Sequence, residues 1–396
     1  MKCKISDICN INNANISKKD NYQFINYLDT SNLTEGVIDD LQKLIIGKDK
    51  IPSRAKRKVK RNDILISTVR PNQKHYGIIK DEEENLIVST GFAVLSANNN
   101  IVDSGYLYRF LTQDLITNYL QAIGETSTST YPSIKPSDIA NLNIDLPPLE
   151  EQKSIANILS TLDEKIEVNN QINKKLEEMA QAIFKRWFAD FEFPDENGNP
   201  YKSSGGEMIE SEMGMIPKGW KIEELGTIIK VCSGKRPKEK NSFMNSDFTI
   251  PLIGASSVMG YVKEANFNND ILIIGRVGTL GIVQRFNGDI WASDNTLVIK
   301  TAYNEFVNQI LNRIDYKSLN RGSTQPLITQ GDIKKEKIIL PSSNIIDRFE
   351  KSLESLFVQR QAYKKENNIL IKIRDTLLPK LMSGEIRVQL NNEIND

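Results

Sequence analysis

The chain has 396 residues, 39% of them hydrophobic and 26% charged, and its 51 basic and 51 acidic side chains cancel to a formal net charge of +0. This describes a folded protein with room for two cores, and excludes a disordered chain or one basic all over. No apolar run approaches the roughly 18–20 residues of a membrane span, residues 1–10 (MKCKISDICN) lack a signal peptide's apolar core, and Cys3, Cys9 and Cys232 form neither a disulfide framework nor a zinc spacing, so a reducing cytoplasm is expected.

The first half begins with apolar Ile5 and Ile8, followed at 53–61 by SRAKRKVKR, which places six Lys or Arg in eight residues from Arg54. β-rich runs follow at 63–69 (DILISTV) and 85–97 (NLIVSTGFAVLSA). The one histidine, His75, lies between them with no cysteine beside it, and is read as a loop or surface residue. A helix over 105–122 leads to a Ser/Thr/Pro-rich loop and then to IKPSDIANLNIDLPP at 134–148. Residues 150–188 contain no Pro or Gly, and Ile155, Leu159, Leu162, Ile166, Leu176, Ala180, Ile183 and Trp187 recur at 3–4 spacing, a heptad seam made polar at Asn169 and Asn173. FPDENGNPYKSSGGE at 193–207 reads as a linker.

The second half repeats this order. DILIIGRVGTLGIVQRF at 270–286 sets two β-rich runs around a glycine-punctuated turn, IWASDNTLVIK at 290–300 adds another, and ITQGDIKKEKIILPS at 328–342 leads into a second helix over 345–382. That helix carries Leu353, Leu356, Tyr363, Asn367, Leu370 and Leu377 in the register of the first. From the Ser129–Pro132 and Ser323–Pro326 loops, through Asp138 and Asp332, to Ile183 and Leu377, matched residues keep one offset of 194. Earlier the offset drifts, to 207 where Asn62–Ile66 meets Asn269–Ile273 and to 220 where Ile5 meets Leu225. Two copies make a duplicated domain, not a solenoid, which needs about three. The expected partner of each long helix is the other, packed as a coiled coil with the asparagine-bearing middles close together. The alternative is two amphipathic helices, each packed on its own domain.

No catalytic constellation emerges. GRVGTLG at 275–281 lacks the Gly-Lys-Ser/Thr ending of a phosphate-binding loop and sits between strands. DLPPL at 145–149 has an extra Leu146 and no aromatic where an amino-methyltransferase signature would have one, and its prolines suit a strand end ahead of a helix. Asp138 with Glu151 and Lys153 imitates a nuclease set, yet helix-surface charge explains it better. The basic clusters carry more. Arg54, Lys56, Arg57, Lys58, Lys60 and Arg61, with Arg70 and Lys74 beyond them, mark the first half; Lys235, Arg236 and Lys238 in GKRPKEK, with Arg276, Arg285 and Arg321, mark the second. Polar donors accompany them at Asn72, Gln73, Tyr76, Ser127, Tyr131 and Gln325. Any one cluster is ordinary solvated surface; two, on two copies of one domain, point to phosphate neutralisation and base-edge hydrogen bonding.

The whole pattern resembles the specificity subunit of Type I restriction–modification systems over essentially the full chain. The residues that carry this are LPPLEEQKSIANILSTLDEKIEVNNQI (146–172), the helix end MAQAIFKRWF (179–188), IPKGWKIEELGTII (216–229), YVKEANFNNDILIIGRVGTLGIV (261–283) and WASDNTLVI (291–299). The first half departs in lacking a counterpart of Gly219–Trp220, and the second in Pro341-Ser342-Ser343, which replaces the diproline and Glu-Gln. The resemblance implies an α+β chain with pseudo-twofold organisation: two α/β target-recognition domains (1–148 and 218–341), joined by a central spacer helix (149–190), a linker (191–217) and a distal spacer helix (342–384), then a tail (385–396). It implies that the helices pair antiparallel and that each domain binds one half of an interrupted double-stranded DNA target. It further implies a non-catalytic chain that docks two methylation subunits, and restriction subunits in some systems, with S-adenosylmethionine, ATP and Mg²⁺ used by those partners. The alternatives are a stand-alone DNA methyltransferase or nuclease, or a coiled-coil scaffold that binds no DNA.

Overall fold

The computed structural model describes residues 1–17, 19–81, 83–127, 130–322 and 324–388. Ser129 and Ser323, matched in the repeat, and residues 389–396 of the tail lie outside them. The chain divides into two compact units, Met1–Asn169 with Lys365–Asp396, and Asn170–Lys364. Each unit therefore takes half of each long helix.

In the first unit a four-stranded antiparallel sheet runs in the order Cys9–Ile11, Phe92–Ala97, Ile64–Ser67, Tyr76–Ile78. Strand Ile64–Ser67 is buried along its whole length, which is why it opens with three consecutive apolar residues instead of alternating. Ile64, Ile66, Ala93 and Leu95 join one core, and Leu65, Phe92 and Val94 the other. A second sheet runs Gln42–Ile45, Phe24–Leu28, Leu86–Ser89, Ala55–Lys58, with Phe24–Leu28 and Leu86–Ser89 parallel. The single run at 85–97 thus supplies strands to two sheets, turning at Thr90–Gly91. The helix expected over 105–122 is two, Ser104–Leu111 and Asp114–Glu125. The break falls where Thr112 Oγ1 donates to the Tyr108 carbonyl and its backbone ends the first helix.

In the second unit the sheet order is Lys230–Ser233, Thr296–Lys300, Ile271–Gly275, Val283–Phe286, all antiparallel. The smaller sheet is Val258–Val262, Ile250–Ile253, Trp291–Ala292, with its last pair parallel. Leu272 and Ile274 face one core and Ile271 and Ile273 the other. Residues 191–217, expected to be a linker, are part of this fold. Phe193 stacks between Tyr201, at 4.6 Å, and Trp220, at 4.9 Å, and strands Met208–Ser211 and Gly214–Pro217 pair as a hairpin. Composition concealed this because Phe191, Phe193 and Tyr201 are spaced among turn formers.

The stretch that repeats with constant offset has a local explanation. In IKPSDIA the Asp138 carboxylate accepts from Lys135 N–H at 2.7 Å; in ITQGDIK the Asp332 carboxylate accepts from Thr329 N–H at 2.8 Å. Each aspartate closes the start of a one-turn helix, Pro136–Ala140 or Gln330–Lys334. Next comes a strand, Asn143–Asp145 or Lys337–Leu340, paired antiparallel with Lys2–Lys4 or Lys221–Glu224. The long helices then begin, Leu149–Phe184 and Ser343–Ser383, about 54 and 62 Å at ~1.5 Å per residue. The first continues through a π-helical turn, Lys185–Ala189; the second accommodates Pro379 inside its last turns.

Within the first unit the helix segments touch at Asp163–Arg374 (3.0 Å), Asn169 Nδ2 donates to Asn367 Oδ1 at 2.8 Å, and Glu151 pairs with Arg387, just past the end of the distal helix, at 3.1 Å. Asn169 is fully buried, and Leu159 and Leu381 enter the domain core. Within the second unit Glu177 pairs with Arg360 at 2.6 Å, and Phe184 and Phe188 pack on Phe349. Of the expected seam, Leu159, Leu176 and Leu353 are buried, as is Asn367, while Leu162, Ile166, Asn173, Leu356 and Leu370 are half-buried.

Candidate nucleic-acid interface

In the first unit the turn after strand Ile64–Ser67 is held by backbone bonds. Thr68 N–H donates to Gly91 O (2.8 Å), Ile134 N–H to Thr68 O (2.9 Å), and Arg70 N–H to Pro132 O (2.8 Å). In the second unit Arg276 N–H donates to Asn295 O (2.8 Å), Ile328 N–H to Arg276 O (3.0 Å), and Gly278 N–H to Pro326 O (3.0 Å). The frame matches bond for bond. It sets a strand-connecting turn against the Ser/Thr/Pro loop in each unit, a pairing called the rim below, while the side chains on it differ. Where the first rim has Arg70 and Tyr131, the second has Gly278 and Gln325.

The first rim is cationic and aromatic. Arg70, left-handed at φ +48°, lays its guanidinium 4.0 Å from the centre of the exposed Tyr131 ring. Asn72 N–H donates to Gln121. Lys74 is held by Asp114 (2.8 Å) and Glu35 (3.3 Å), and the Asp114 hydrogen bond drives its pKa up against burial. Arg54 joins the rim through its carbonyl, which accepts from Thr90 N–H. His75 lies in the loop beyond, where its Nδ1 meets the Leu33 carbonyl at 2.7 Å.

The basic run at 53–61 does not form one face. Residues Ala55–Lys58 are a strand, so successive side chains part to opposite sides. Arg57 is half-buried and burial lowers its pKa; Lys58 pairs with Asp20 at 2.5 Å, which raises its own. Arg54, Lys56, Lys60 and Arg61 are exposed, with no ion pair among the described residues.

In the second unit Lys235 and Lys238 are exposed, Arg236 pairs with Asp294 at 3.1 Å, and Arg276 and the exposed Gln325 sit on the rim. Arg321 contacts Asp332. Burial opposes ionisation of that carboxyl, but Thr329 and Arg321 outweigh it and hold its pKa below the usual range. Asp138 and Asp332 are therefore helix caps, and Glu151, set beside Asp138 in the sequence reading, is engaged by Arg387. Arg285 does not belong to the basic face. It donates from Nε to Asp270 Oδ1 (2.9 Å), contacts buried Glu305, and lies 3.5 Å over the Phe357 ring.

Sequence reasoning also missed how the helices grip the domains. Gln152 Oε1 accepts from Asp103 N–H (3.0 Å) at the start of helix Ser104–Leu111; Glu350 accepts from Phe306 N–H (2.8 Å) at the start of Asn304–Leu311. These residues stand one helical turn apart in the aligned repeat, so the loss of Glu-Gln in the second half is made good four residues on.

A family model described as Type I restriction modification DNA specificity domain matches residues 1–178 and 217–370. The chain belongs to this family. Its two matched stretches carry one rim each. Among its relatives, the Type I restriction enzyme HindI specificity subunit of Haemophilus influenzae is 28% identical, covering 85% of this chain and 89% of that protein. The MjaIX specificity subunit of Methanocaldococcus jannaschii is 29% identical, with 79% and 76% covered. The crystal structure of a Type I restriction–modification S subunit from M. genitalium matches with a TM-score of 0.54 at 18% identity, covering 96% of each chain, and shows that the fold is shared. Among the described residues of this specificity-family chain, no helix is long and apolar enough to cross a membrane.

Proposed function

We propose that the chain is the DNA sequence-specificity subunit of a Type I restriction–modification assembly, each unit reading one half of an interrupted target through its rim. The observation that carries this is the same backbone frame built twice with different side chains on it. The arrangement suits one docking mode and two base sequences. On this reading the chain is a duplicated domain, and its long helices form an antiparallel coiled coil that spaces the halves. In support, contacts descend the distal helix as they ascend the central one, from Asp163–Arg374 to Asn169–Asn367 in one unit, and Glu177 pairs with Arg360 in the other. Reaction chemistry belongs to partner subunits in the cytoplasm. Methylome sequencing of cells carrying the chain with its methylation partner tests this: a bipartite motif is expected, and methyl transfer by the isolated chain would overturn it.

Spacing gives a sharper test. Four residues inserted after Asn169, matched by four after Lys364, add about 6 Å of paired helix, close to two base pairs. The methylated motif should keep both halves and gain that gap; an unchanged gap defeats the spacer reading.

The outer helix faces support docking of one methylation subunit per half. Val168 and Ile369 are exposed in the first unit, and Met179 and Val358 in the second; the ion-pair register sets the members of each pair level. Val168→Asp with Ile369→Asp should reduce the mass of the assembly by one methylation subunit while moving the chain's own unfolding by less than about 0.5 kcal/mol. Full assembly by this variant would remove the patch from the interface.

A further inference from the structure

The second unit presents an apolar tip that the rim does not explain. Phe243 is 79% exposed, and Met244, Val258 and Met259 are each close to half exposed. They are neighbours, because Asn241 and Tyr261 exchange backbone hydrogen bonds of 2.9 and 2.8 Å, which sets the 242–244 loop beside the start of strand Val258–Val262. The tip adjoins the rim: Gly254 N–H donates to Ser257 O (2.8 Å), and a Cβ on Gly275 would lie 2.9 Å from Ala255. The loop that carries Phe243 also carries Lys235, Lys238 and Lys240, all exposed and without an ion pair among the described residues.

An exposed apolar tip marks a binding surface, and the lysines decide its kind. Protein interfaces are depleted of lysine, and the loop that carries this tip holds three exposed lysines without an ion pair among the described residues. A DNA-bending wedge needs this combination: cations to hold the phosphates on either side and an apolar side chain to enter the base stack. We propose that Phe243, backed by Met244, inserts between stacked base pairs at the half-site read by the second unit, so that this half is selected partly by how readily one base step opens. This deepens the proposed function and rests on it.

The test uses the chain assembled with its methylation partner, on target duplexes in which 2-aminopurine is scanned through that half-site. Emission should rise at one step. Phe243→Ala should abolish the rise and weaken binding about tenfold, without altering the salt slope. Phe243→Trp should keep the rise. Lys238→Ala with Lys240→Ala should flatten the slope and leave the rise in place. The wedge is overturned if the assembly selects its target with no rise at any step, or if Phe243→Ala binds like the parent. It is also overturned if Phe243→Ala loses the methylation subunit while keeping DNA affinity, which would assign the tip to a protein partner. An assembly that selects no motif fails earlier, at the function itself.

Discussion

Arg285→Ala is expected to destabilise the second unit by about 3–5 kcal/mol. The guanidinium is 13% exposed and touches Asp270, 27% exposed, and Glu305, 5% exposed, so its removal strands the Glu305 carboxylate away from water and takes the cation from Asp270. Burial pushes the Glu305 carboxyl up, and Arg285 is the foremost group opposing that rise. Native Glu305 therefore holds its proton to higher pH than the unfolded chain does, and stability falls as pH rises between the two pKa values. Without Arg285 that window extends upward, so the deficit should be larger at pH 8 than at pH 5. Denaturant midpoints at the two pH values measure it. Combining Arg285→Met with Asp270→Asn and Glu305→Gln should recover most of the loss, since a buried ionic cluster replaced as a whole costs little. A midpoint for Arg285→Ala within about 0.5 kcal/mol of the parent would mean that water already reaches these groups.

The second large effect is on DNA. Replacing Arg54, Lys56, Lys60 and Arg61 together by Ala should weaken binding by the assembled complex and make log K against log salt shallower by up to about 0.9 per phosphate contact removed. Arg57 and Lys58 serve as the contrast. One is half-buried and the other paired with Asp20, so their loss should show in stability and leave the salt slope near that of the parent. An unchanged slope in the fourfold variant removes this run from the interface.

That contrast shows where a linear reading stops. Six cations in eight residues are visible in the sequence, but which of them stay free depends on the fold, which half-buries Arg57 and sets Asp20 against Lys58. Arg285 was misplaced for a similar reason: its partners lie 15 and 20 residues away, and only the closure of the sheet brings them together. The long helices were legible because their signal is local and periodic. The helix break falls at one residue, Thr112, and the fold of residues 191–217 rests on three aromatics, Phe191, Phe193 and Tyr201, among turn formers; composition averages both away. The rims were half legible. Arg70, Tyr131, Arg276 and Gln325 could be named, while the hydrogen bonds that present them come from main-chain atoms, which leave no mark on residue identity.

Those main-chain bonds have an evolutionary consequence. A frame made of N–H and C=O groups is indifferent to the side chains it carries, so Arg70, Tyr131, Gly278 or Gln325 can be exchanged without unseating the turn. The Asp138 and Asp332 caps, with the helix starts behind them, mark a natural seam for recombination. A foreign domain joined there inherits the grip of Gln152 or Glu350 and the unaltered helix beyond. New specificities can then arise by trading whole halves as well as by single substitutions, and a lineage carrying such a chain can change the sequence it recognises in one genetic step.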